Sequence, residues 1–492
     1  MNNKTRKWIN LLTVVILTLS TAASCATLEK IGIIKPKPNI IFILTDDRDM
    51  ALMPYMENTN KLIAEQGATF TNYFVTSSSC CPSRASTLRG QYPHNTNILE
   101  NSPGFVNFHS NGREDETIAT WLNKAGYETS LIGKYLNGYP VSVPKKYIPP
   151  GWTDWHAFIN HTEDLEDGWY YYNYTLSENG QLNYYGYSPE EYSTDVLGQK
   201  ALDFIDQSIE KKSPFFIYLA GMAPHGPSTP APRYEGTLPN QEYPQKPSFQ
   251  EADTSDKPSI VYSLEAPGDE YDIYDANGQF QNRAETMLAV DEMVVKLVQL
   301  LEQKGQLDNT YIIFTSDNGF HMGEHGLSAG KMLAYEEDIR VPFLIRGPGI
   351  QPGTTVTQMV ANIDVAPSLA DMANAKAPDF VDGRSFLPLL NPETNQSMEW
   401  RKNLLIETGY LKRKSKVIAY RGIRNENFIY LEYENGELEY YDLIKDPYEL
   451  DNIASKLDAS TLSSLHSWLE QLKQCEAENC RQLESSQLKN FK

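Results

Sequence analysis

The stretch NIIFILT, from Asn39 to Thr45, is a largely apolar, β-branched run that leads into two carboxylates, Asp46 and Asp47. Near-continuous runs of this kind are typical of strands that are buried on both faces of a sheet. Three further short runs lead into polar residues in the same way: Thr129–Ile132 into Gly133-Lys134, Phe215–Ala220 into Pro224-His225, and Tyr311–Ser316 into Asp317-Asn318. The sequence therefore predicts four core strands, each followed by polar residues at or shortly beyond its carboxyl end.

Amphipathic helical patterns lie between these runs. Residues Glu116 to Lys124 form one pattern, which closes at Gly126, and a second keeps helical spacing through Met287, Val290, Val294, Leu297 and Leu301. The alternation of strands and helices predicts an α/β fold with a parallel sheet, in which ligands bind beyond the carboxyl ends of the strands. We therefore expect the polar residues at those ends to be neighbours in space.

From about Thr394 the pattern changes to short strands and tight turns. Three antiparallel strands are predicted, at Lys416–Tyr420, Asn427–Tyr433 and Leu438–Leu443. Leu462, Leu465, Leu469 and Leu472 then share one face of a terminal helix. These patterns predict a large domain over residues 36–393 and a small α+β domain over 394–492. The aromatic segment Pro140–Glu190 and the proline-rich segment Ser228–Pro258 are predicted to be loops.

The chain has 492 residues and a formal net charge of −21, so it can bury a large core and is unsuited to nonspecific binding of nucleic acid. The same negative charge disfavours binding of a long polyanion across the surface. It is more compatible with a pocket that binds the end of a chain. A simple acidic exported protein explains the charge equally well.

The first 25 residues have the features of an export signal. Lys4, Arg6 and Lys7 precede an apolar run from Trp8 to Leu19, which small residues follow up to Cys25. Ala22-Ala23-Ser24-Cys25 resembles a bacterial lipoprotein box, with Ala22 where Leu is usual, so lipid anchoring at Cys25 and ordinary signal cleavage are both open. We expect a periplasmic, secreted or lipid-anchored protein in a bacterium, or a lysosomal or extracellular one in a eukaryote. No stretch reaches membrane-spanning length, and Cys475 and Cys480 are candidates for a small disulfide.

The stretch SSSCCPSRASTLRG, from Ser77 to Gly90, is predicted to be a loop that becomes a helix. Pro82 suits the first helical turn, and no breaker follows before Gly90. Cys80 would then lie at the positive end of the helix, where unpaired amides favour an anionic group. The alternative is that Cys80 and Cys81 are buried thiols or disulfide partners.

The pattern Cys-x-Pro-Ser-Arg-x-x-x-Leu-x-Gly resembles the signature of type I sulfatases, with Arg89 where family members often have Thr. The resemblance implies an alkaline-phosphatase-like fold, a large mostly parallel sheet flanked by helices, and oxidation of Cys80 to Cα-formylglycine by a separate maturation enzyme. In this family one hydroxyl of the hydrated aldehyde attacks sulfur and displaces the alcohol. The second hydroxyl then expels sulfate and restores the aldehyde, so that covalent catalysis divides one hard step into two easier ones.

Asp46, Asp47, Asp317 and Asn318 offer hard oxygen ligands, which suit Ca²⁺ or Mg²⁺. Taken singly, such residues at a strand end are usually turns or helix caps. The resemblance implies that these four, with the residue derived from Cys80, hold one divalent ion, usually calcium. Asp49 is a nearby carboxylate that we place outside the site.

The resemblance also assigns the cationic groups. Arg84 would hold the aldehyde hydrate, Lys134 and Lys331 would bind sulfate, and His225 in APHGP would protonate the leaving alcohol as a general acid. The usual family run Gly-Lys-Trp-His reads Gly-Lys134-Tyr135-Leu136 here, so the base that opens the hemiacetal is not identified by the motif.

Several runs resemble the N-acetylglucosamine-6-sulfatase branch of the family and its endosulfatase relatives. They are GKYLN, CCPSRAS with QYPHN, GWTDWHAF with YYNYTLSENG, and APHGPSTPAPRY. This implies a 6-O-sulfated N-acetylglucosamine substrate, which His94 and Asn95 could contact unless their role is structural. The alternatives are another sulfated glycan or an aryl sulfate, a phosphodiesterase or phosphonate hydrolase, and a glycan-binding pseudoenzyme with unmodified Cys80.

Overall fold

The computed structural model describes residues 36–159, 171–259, 261, 273–394, 397–413 and 416–487. The predicted export signal over residues 1–25, with the candidate lipidation site Cys25, lies outside the described residues. No helix in the described ranges is long and apolar enough to cross a membrane.

The strands are β1 (Asn39–Thr45), β2 (Ala68–Phe70), β3 (Tyr73–Phe74), β4 (Glu128–Gly133), β5 (Asp154–Phe158), β6 (Tyr174–Glu178), β7 (Gln181–Tyr185), β8 (Phe215–Ala220), β9 (Thr310–Ser316), β10 (Phe343–Arg346), β11 (Thr354–Val356), β12 (Val360–Ala361), β13 (Asn403–Arg413), β14 (Lys416–Asn425), β15 (Phe428–Tyr433) and β16 (Leu438–Asp442). Within the described chain, ten of them form a sheet in the order β11-β2-β10-β9-β1-β8-β4-β5-β6-β7. The five central strands of this sheet are parallel to one another; they are β9, β1, β8, β4 and β5. Strands β10, β6 and β7 pair antiparallel with their neighbours. The sheet is therefore mixed and mostly parallel, as the sequence predicts.

The register of the central strands brings their carboxyl ends together. Strand β1 is buried along its whole length and pairs in parallel with β8 and β9. Thr45 lies opposite Ser316, and Leu44 lies opposite Ala220. Since all three strands end at the same edge, the residues that follow them converge there.

The longer helices are α1 (Cys80–Arg89), α2 (Ile118–Lys124), α3 (Ser193–Glu210), α4 (Ile273–Gln303), α5 (Val365–Met372), α6 (Ala459–Leu472) and α7 (Glu478–Ser485). Short α-helical turns occupy Glu57–Thr59, Pro93–Thr96, Phe105–Ser110 and Glu336–Ile339. Alternate residues of β1 point to opposite sides of the sheet. Ile41 and Ile43 pack in the core that contains α3 and α4, and Ile40 and Phe42 pack in the core that contains α1, α2 and α5.

The prediction that Pro140–Glu190 is a loop is wrong in part, because β5, β6 and β7 lie in this segment and extend the sheet. Trp155 is fully buried and makes edge contacts with the rings of Tyr135 and Tyr139, and its indole N–H donates to the Tyr139 hydroxyl (3.0 Å). Trp155 thus belongs to the core rather than to a surface loop, whereas Tyr184 and Tyr187 in the same segment are exposed. Residues 228–258 form neither helix nor strand, as predicted.

The four C-terminal strands form an antiparallel sheet in the order β13-β14-β15-β16, and α6 follows where a helix is predicted. Strand β13 was not predicted. Cys475 and Cys480 form a disulfide, as expected. The boundary between residues 393 and 394 stays a prediction.

Buried ion pairs join the C-terminal residues to the rest of the chain. Arg401 contacts both oxygens of Asp364 (2.5 and 2.8 Å) and one oxygen of Glu484 (2.8 Å), and all three side chains are fully buried. Glu484 also accepts hydrogen bonds from Arg384 (2.7 Å) and from the hydroxyl of Tyr92. We call this set, Tyr92, Asp364, Arg384, Arg401 and Glu484, the Arg401 junction.

Candidate active site

Three carboxylates and one cysteine meet at the carboxyl edge of the central sheet. Asp46 and Asp47 follow β1, Asp317 follows β9, and Cys80 begins α1. Each of the four offers a ligand atom, and these atoms all lie within 4.8 Å of one another. All four residues are buried. The sequence prediction that the strand ends converge is therefore confirmed.

Cys80 is the first residue of α1, where the sequence places it. Ser79 has extended backbone (φ −128°, ψ 136°), and Gly90 ends the helix in the left-handed conformation (φ 66°). The Cys80 Sγ lies 3.5 Å from Asp46 Oδ1 and accepts a hydrogen bond from the Lys331 ammonium (2.8 Å). Burial and the negative charge of Asp46 raise the pKa of Cys80 to about 12, so the unmodified side chain is a neutral thiol near pH 7.

Arg84 lies one helical turn after Cys80, on the same face of α1. Its guanidinium is fully buried and donates to Asp317 Oδ2 (2.7 Å), Asp46 Oδ2 (3.0 Å) and the backbone carbonyl of Lys134 (2.9 Å). One side chain from the helix thus fixes two carboxylates and the end of β4, and its planar fork suits this geometry.

Burial and nearby charges act in opposite directions on the carboxylates. Burial alone would raise the pKa of Asp46, but the positive charges of Lys134 and Arg84 outweigh it and hold the pKa well below its usual range. At Asp317, burial and the neighbouring Asp46 raise the pKa despite the contact with Arg84. Three carboxylates and three cationic side chains, Arg84, Lys134 and Lys331, thus share one buried site, and the carboxylate pKa values shift in different directions within it.

Two lysines and a histidine surround the carboxylates. The Lys134 ammonium lies 2.5 Å from Asp46 Oδ2, and the Lys331 ammonium contacts Asp47 Oδ1. The Nδ1 of His225 donates to the carbonyl of Gly226 (2.7 Å), so that Nε2 faces the site, 3.7 Å from Asp47 Oδ2. All five predicted catalytic residues, Cys80, Arg84, Lys134, His225 and Lys331, are therefore placed around one cluster.

Asn318 has a side-chain oxygen that is ready for a ligand. Its amide N–H donates to Asp47 Oδ1 (2.7 Å), but its Oδ1 is buried without a hydrogen-bond partner. A buried carbonyl oxygen without a partner is costly unless a donor or a cation satisfies it. The donor set of Asp46, Asp47, Asp317 and Asn318 thus fits a hard divalent cation such as Ca²⁺.

Arg283 is a residue of the site that the sequence did not reveal. It donates from α4 to the backbone carbonyl of Asp47 (2.7 Å) and to Asp49 Oδ2 (2.7 Å). Asp47 has a positive φ of 63°, which is uncommon for a residue other than glycine, and Arg283 holds its carbonyl in this conformation. Asp49, bound to Arg283 and to the amide of Ala51 (2.7 Å), lies outside the cluster, as expected.

His94 lies among residues from the C-terminal part of the chain. Its Nδ1 bonds to Glu407 Oε1 (2.8 Å), its Nε2 to the carbonyl of Cys475 (3.0 Å), and Asn95 bonds to the same carbonyl (2.9 Å). Both ring nitrogens are engaged, so the geometry favours the structural alternative over substrate binding. Leu136, at the position of the family's usual histidine, is buried in the apolar core and carries no titratable group.

Two family models match the chain. The model described as Sulfatase matches residues 38–375, and that described as N-sulphoglucosamine sulphohydrolase, C-terminal, matches residues 323–475. The N-acetylglucosamine-6-sulfatase of Capra hircus is 36% identical over 488 residues, which cover 90% of this chain and 85% of the relative. The N-acetylglucosamine-6-O-sulfatase of Bacteroides thetaiotaomicron is 29% identical, with coverages of 89% and 86%.

Solved structures agree with these matches. One, a complex with its substrate D-glucosamine-2-N,6-O-disulfate, has a TM-score of 0.74 and 26% identity and covers 93% of this chain and 100% of its own. The phosphonate monoester hydrolase of Agrobacterium radiobacter has a TM-score of 0.69 at 20% identity, covering 88% of this chain and 94% of its own, and shows the shared fold alone. The chain belongs to the sulfatase family, whose members hydrolyse sulfuric esters.

Proposed function

We propose that this sulfatase removes the 6-O-sulfate of N-acetylglucosamine residues in a sulfated glycan. The observation that carries the proposal is the placement of Cys80 against a buried carboxylate cluster that is ringed by Lys134, Lys331 and His225. The substrate class is supported by the names of the relatives and by the glucosamine disulfate in the complex described above.

We propose that Cys80 is converted to Cα-formylglycine. In this change Cβ loses two electrons, the thiol departs as sulfide and oxygen takes its place, while the electrons pass to the acceptor used by the maturation enzyme. The hydrated aldehyde supplies one hydroxyl as a nucleophile for sulfur and a second through which sulfate leaves. Cys80 is the suitable position, because its Sγ contacts Asp46 and the Lys331 ammonium from the first turn of α1.

A divalent cation, which we propose to be Ca²⁺, would be held by Asp46, Asp47, Asp317 and Asn318. When bound, it would stabilise negative charge on the nucleophile and on the sulfuryl group. The buried amide oxygen of Asn318 without a partner is the feature that a cation would satisfy.

The remaining side chains have separable roles. Lys134 and Lys331 lie beside the nucleophile position and would attract the sulfate oxygens. Arg84 would keep Asp46 and Asp317 in place. The Nε2 of His225, held toward the site by the Gly226 carbonyl, would give a proton to the oxygen of the leaving sugar.

We also propose that the protein is exported, as the features of residues 1–25 indicate. Two relatives are named extracellular sulfatases, a Sulf-1 homologue from Caenorhabditis elegans and another from Drosophila melanogaster. Export would bring the enzyme to glycans outside the cytoplasm.

The test combines peptide mass with a substrate panel. Protein from a host that has the maturation enzyme is digested, and the peptide that contains Cys80 should have the mass of the aldehyde in place of the thiol. The same protein is then offered N-acetylglucosamine carrying sulfate at O3, O4 or O6, a 6-sulfated oligosaccharide and an aryl sulfate. Preferential release of sulfate from O6 is expected. Turnover of the aryl sulfate alone would contradict the substrate, and a thiol with no turnover would indicate a pseudoenzyme.

A further inference from the structure

A second group of buried potential ligands lies outside the active-site cluster. His325, Glu337 and Glu449 each offer a ligand atom, and these atoms lie within 4.8 Å of one another. We call these three residues the His325 cluster. His325 lies six residues before Lys331 in the segment after β9, Glu337 lies in the short helix Glu336–Ile339, and Glu449 follows β16.

His325 has one ring nitrogen engaged and one without a partner. Its side chain is fully buried, and its Nδ1 donates to Glu251 Oε2 (2.6 Å). The Nε2 atom is buried without a hydrogen-bond partner, and in the neutral ring with the hydrogen on Nδ1 it presents a lone pair. A carboxylate that holds one nitrogen while the other stays available is the arrangement that metal-binding histidines usually have.

Glu449 presents a second buried acceptor without a partner. It is 1% exposed, its Oε2 accepts from the backbone amide of Glu336 (2.9 Å), and its Oε1 is buried without a partner. Glu337, the third member, accepts from the Lys246 ammonium (2.8 Å). Three side chains that can each accept a hydrogen bond or bind a metal ion thus lie close together. A hydrogen-bond donor or a cation is needed to satisfy their unpartnered atoms.

Acidic side chains outnumber cationic ones around the His325 cluster. Four cationic side chains contact the carboxylates of this region, namely Lys246, Lys257, Arg340 and Arg424. Five carboxylates belong to the same network, namely Glu251, Glu324, Glu336, Glu337 and Glu449. Burial and the charges of Glu336 and Glu337 raise the pKa of Glu449 well above its ordinary value, so a proton is the competitor of a metal ion at this place.

We propose that the His325 cluster binds one divalent transition metal ion, of the Zn²⁺ class, through His325 Nε2, Glu337 and Glu449. One imidazole and two carboxylates form a donor set that suits zinc better than calcium. The ion would tie the segment that carries Lys331 to the chain after β16 and would act on structure rather than in the reaction. The proposal is independent of the substrate and of the state of Cys80.

The test measures zinc binding in the full chain. The protein is stripped with a chelator, saturated with Ca²⁺ and titrated with ZnCl₂ alone, and bound zinc is measured by calorimetry and by elemental mass spectrometry. About one zinc ion per chain is expected, and Asp317→Ala, which alters the active-site cluster, should keep it. His325→Ala and Glu449→Gln should each weaken zinc binding by more than the roughly 10- to 100-fold that loss of an outer-shell partner costs.

His466→Ala is the matched control, since His466 lies with Glu432 and Glu470 in a more exposed group of possible ligands. The His466→Ala variant should bind zinc with the same affinity and stoichiometry as the wild type. Glu449→Gln is nearly isosteric and can still accept from the Glu336 amide, so it decides the question even if His325→Ala fails to fold. Absence of zinc from the wild type, or equal zinc affinity in the wild type and Glu449→Gln, would overturn the proposal and leave a shared proton in its place.

Discussion

Replacement of Arg84 tests whether the guanidinium stabilises the buried carboxylates. Arg84→Met removes the positive charge between Asp46 and Asp317, both of which are fully buried, whereas Arg84→Lys keeps a charge but loses the fork. Breaking a buried ion pair costs about 3–5 kcal/mol. The lysine variant retains one of the two charged hydrogen bonds and should lose about 1.5–3 kcal/mol, the value of the other.

The assay is urea unfolding followed by tryptophan fluorescence, first with excess chelator and then in saturating Ca²⁺. Without metal, the wild type should be the most stable, Arg84→Lys less stable and Arg84→Met the least stable. Calcium should stabilise Arg84→Met more than the wild type, because a cation that repels the ion has been removed from Asp46 and Asp317.

Arg89→Met is the matched control on the same helix. Arg89 is also buried, but it donates to the carbonyls of Arg113 and Glu116 and to the side chain of Gln91, none of which is a carboxylate. Its loss should destabilise the protein by the same amount with and without calcium. Equal stabilisation of both variants by calcium, or a metal-free Arg84→Met within about 1 kcal/mol of the wild type, would refute the role of Arg84 in stabilising the carboxylates.

Three further predictions concern single residues. Burial alone would lower the pKa of His94, but Glu407 raises it to about 9, above the unfolded value of 6.5. Protonated His94 should therefore stabilise the wild type against unfolding by at most about 3 kcal/mol relative to His94→Gln. This stabilisation should be complete below pH 6.5 and lost as the pH rises through 9. A difference in unfolding free energy between the two proteins that does not change with pH would refute the prediction. Cys80→Ala should abolish turnover while Cys81→Ala retains it, measured by sulfate release with circular dichroism as the folding control; the reverse result would reassign the nucleophile. His225→Ala should slow single-turnover hydrolysis of a 6-sulfated sugar by about 10² to 10⁴ but an aryl sulfate much less, because a phenol leaves without protonation, and equal losses would exclude the acid role.

The central sheet could be predicted from the sequence because its strands are apolar runs that end in polar residues. Strand β1 was predicted with its observed bounds, and so was β8. A parallel sheet brings the carboxyl ends of all its strands to one edge, so Asp46 and Asp317 were expected to lie near each other, and the pairing of β1 with β9 makes them neighbours. Cys80 could be placed at a helix start because Pro82 and Gly90 mark both ends of α1.

The parts that could not be predicted depend on partners distant in the chain. Trp155 looked like part of an aromatic loop, and only the pairing of β5 with β4 shows that it belongs to the core. Arg283 gives no local signal, because a single arginine in a long amphipathic helix is usually solvated. His94 could not be assigned a role until Glu407 and the carbonyl of Cys475 were seen beside it.

The Arg401 junction bears on how this chain can be divided. A protein that ended at residue 393 would keep Asp364 and lose Arg401, its buried ion-pair partner. It would also lose Glu484, the acceptor of Tyr92 and Arg384. We therefore expect the chain before residue 394 to be less stable when the strands and helices after it are removed. Shortened versions for crystallisation, and chimaeras that exchange this end between relatives, should keep all five junction residues from one parent.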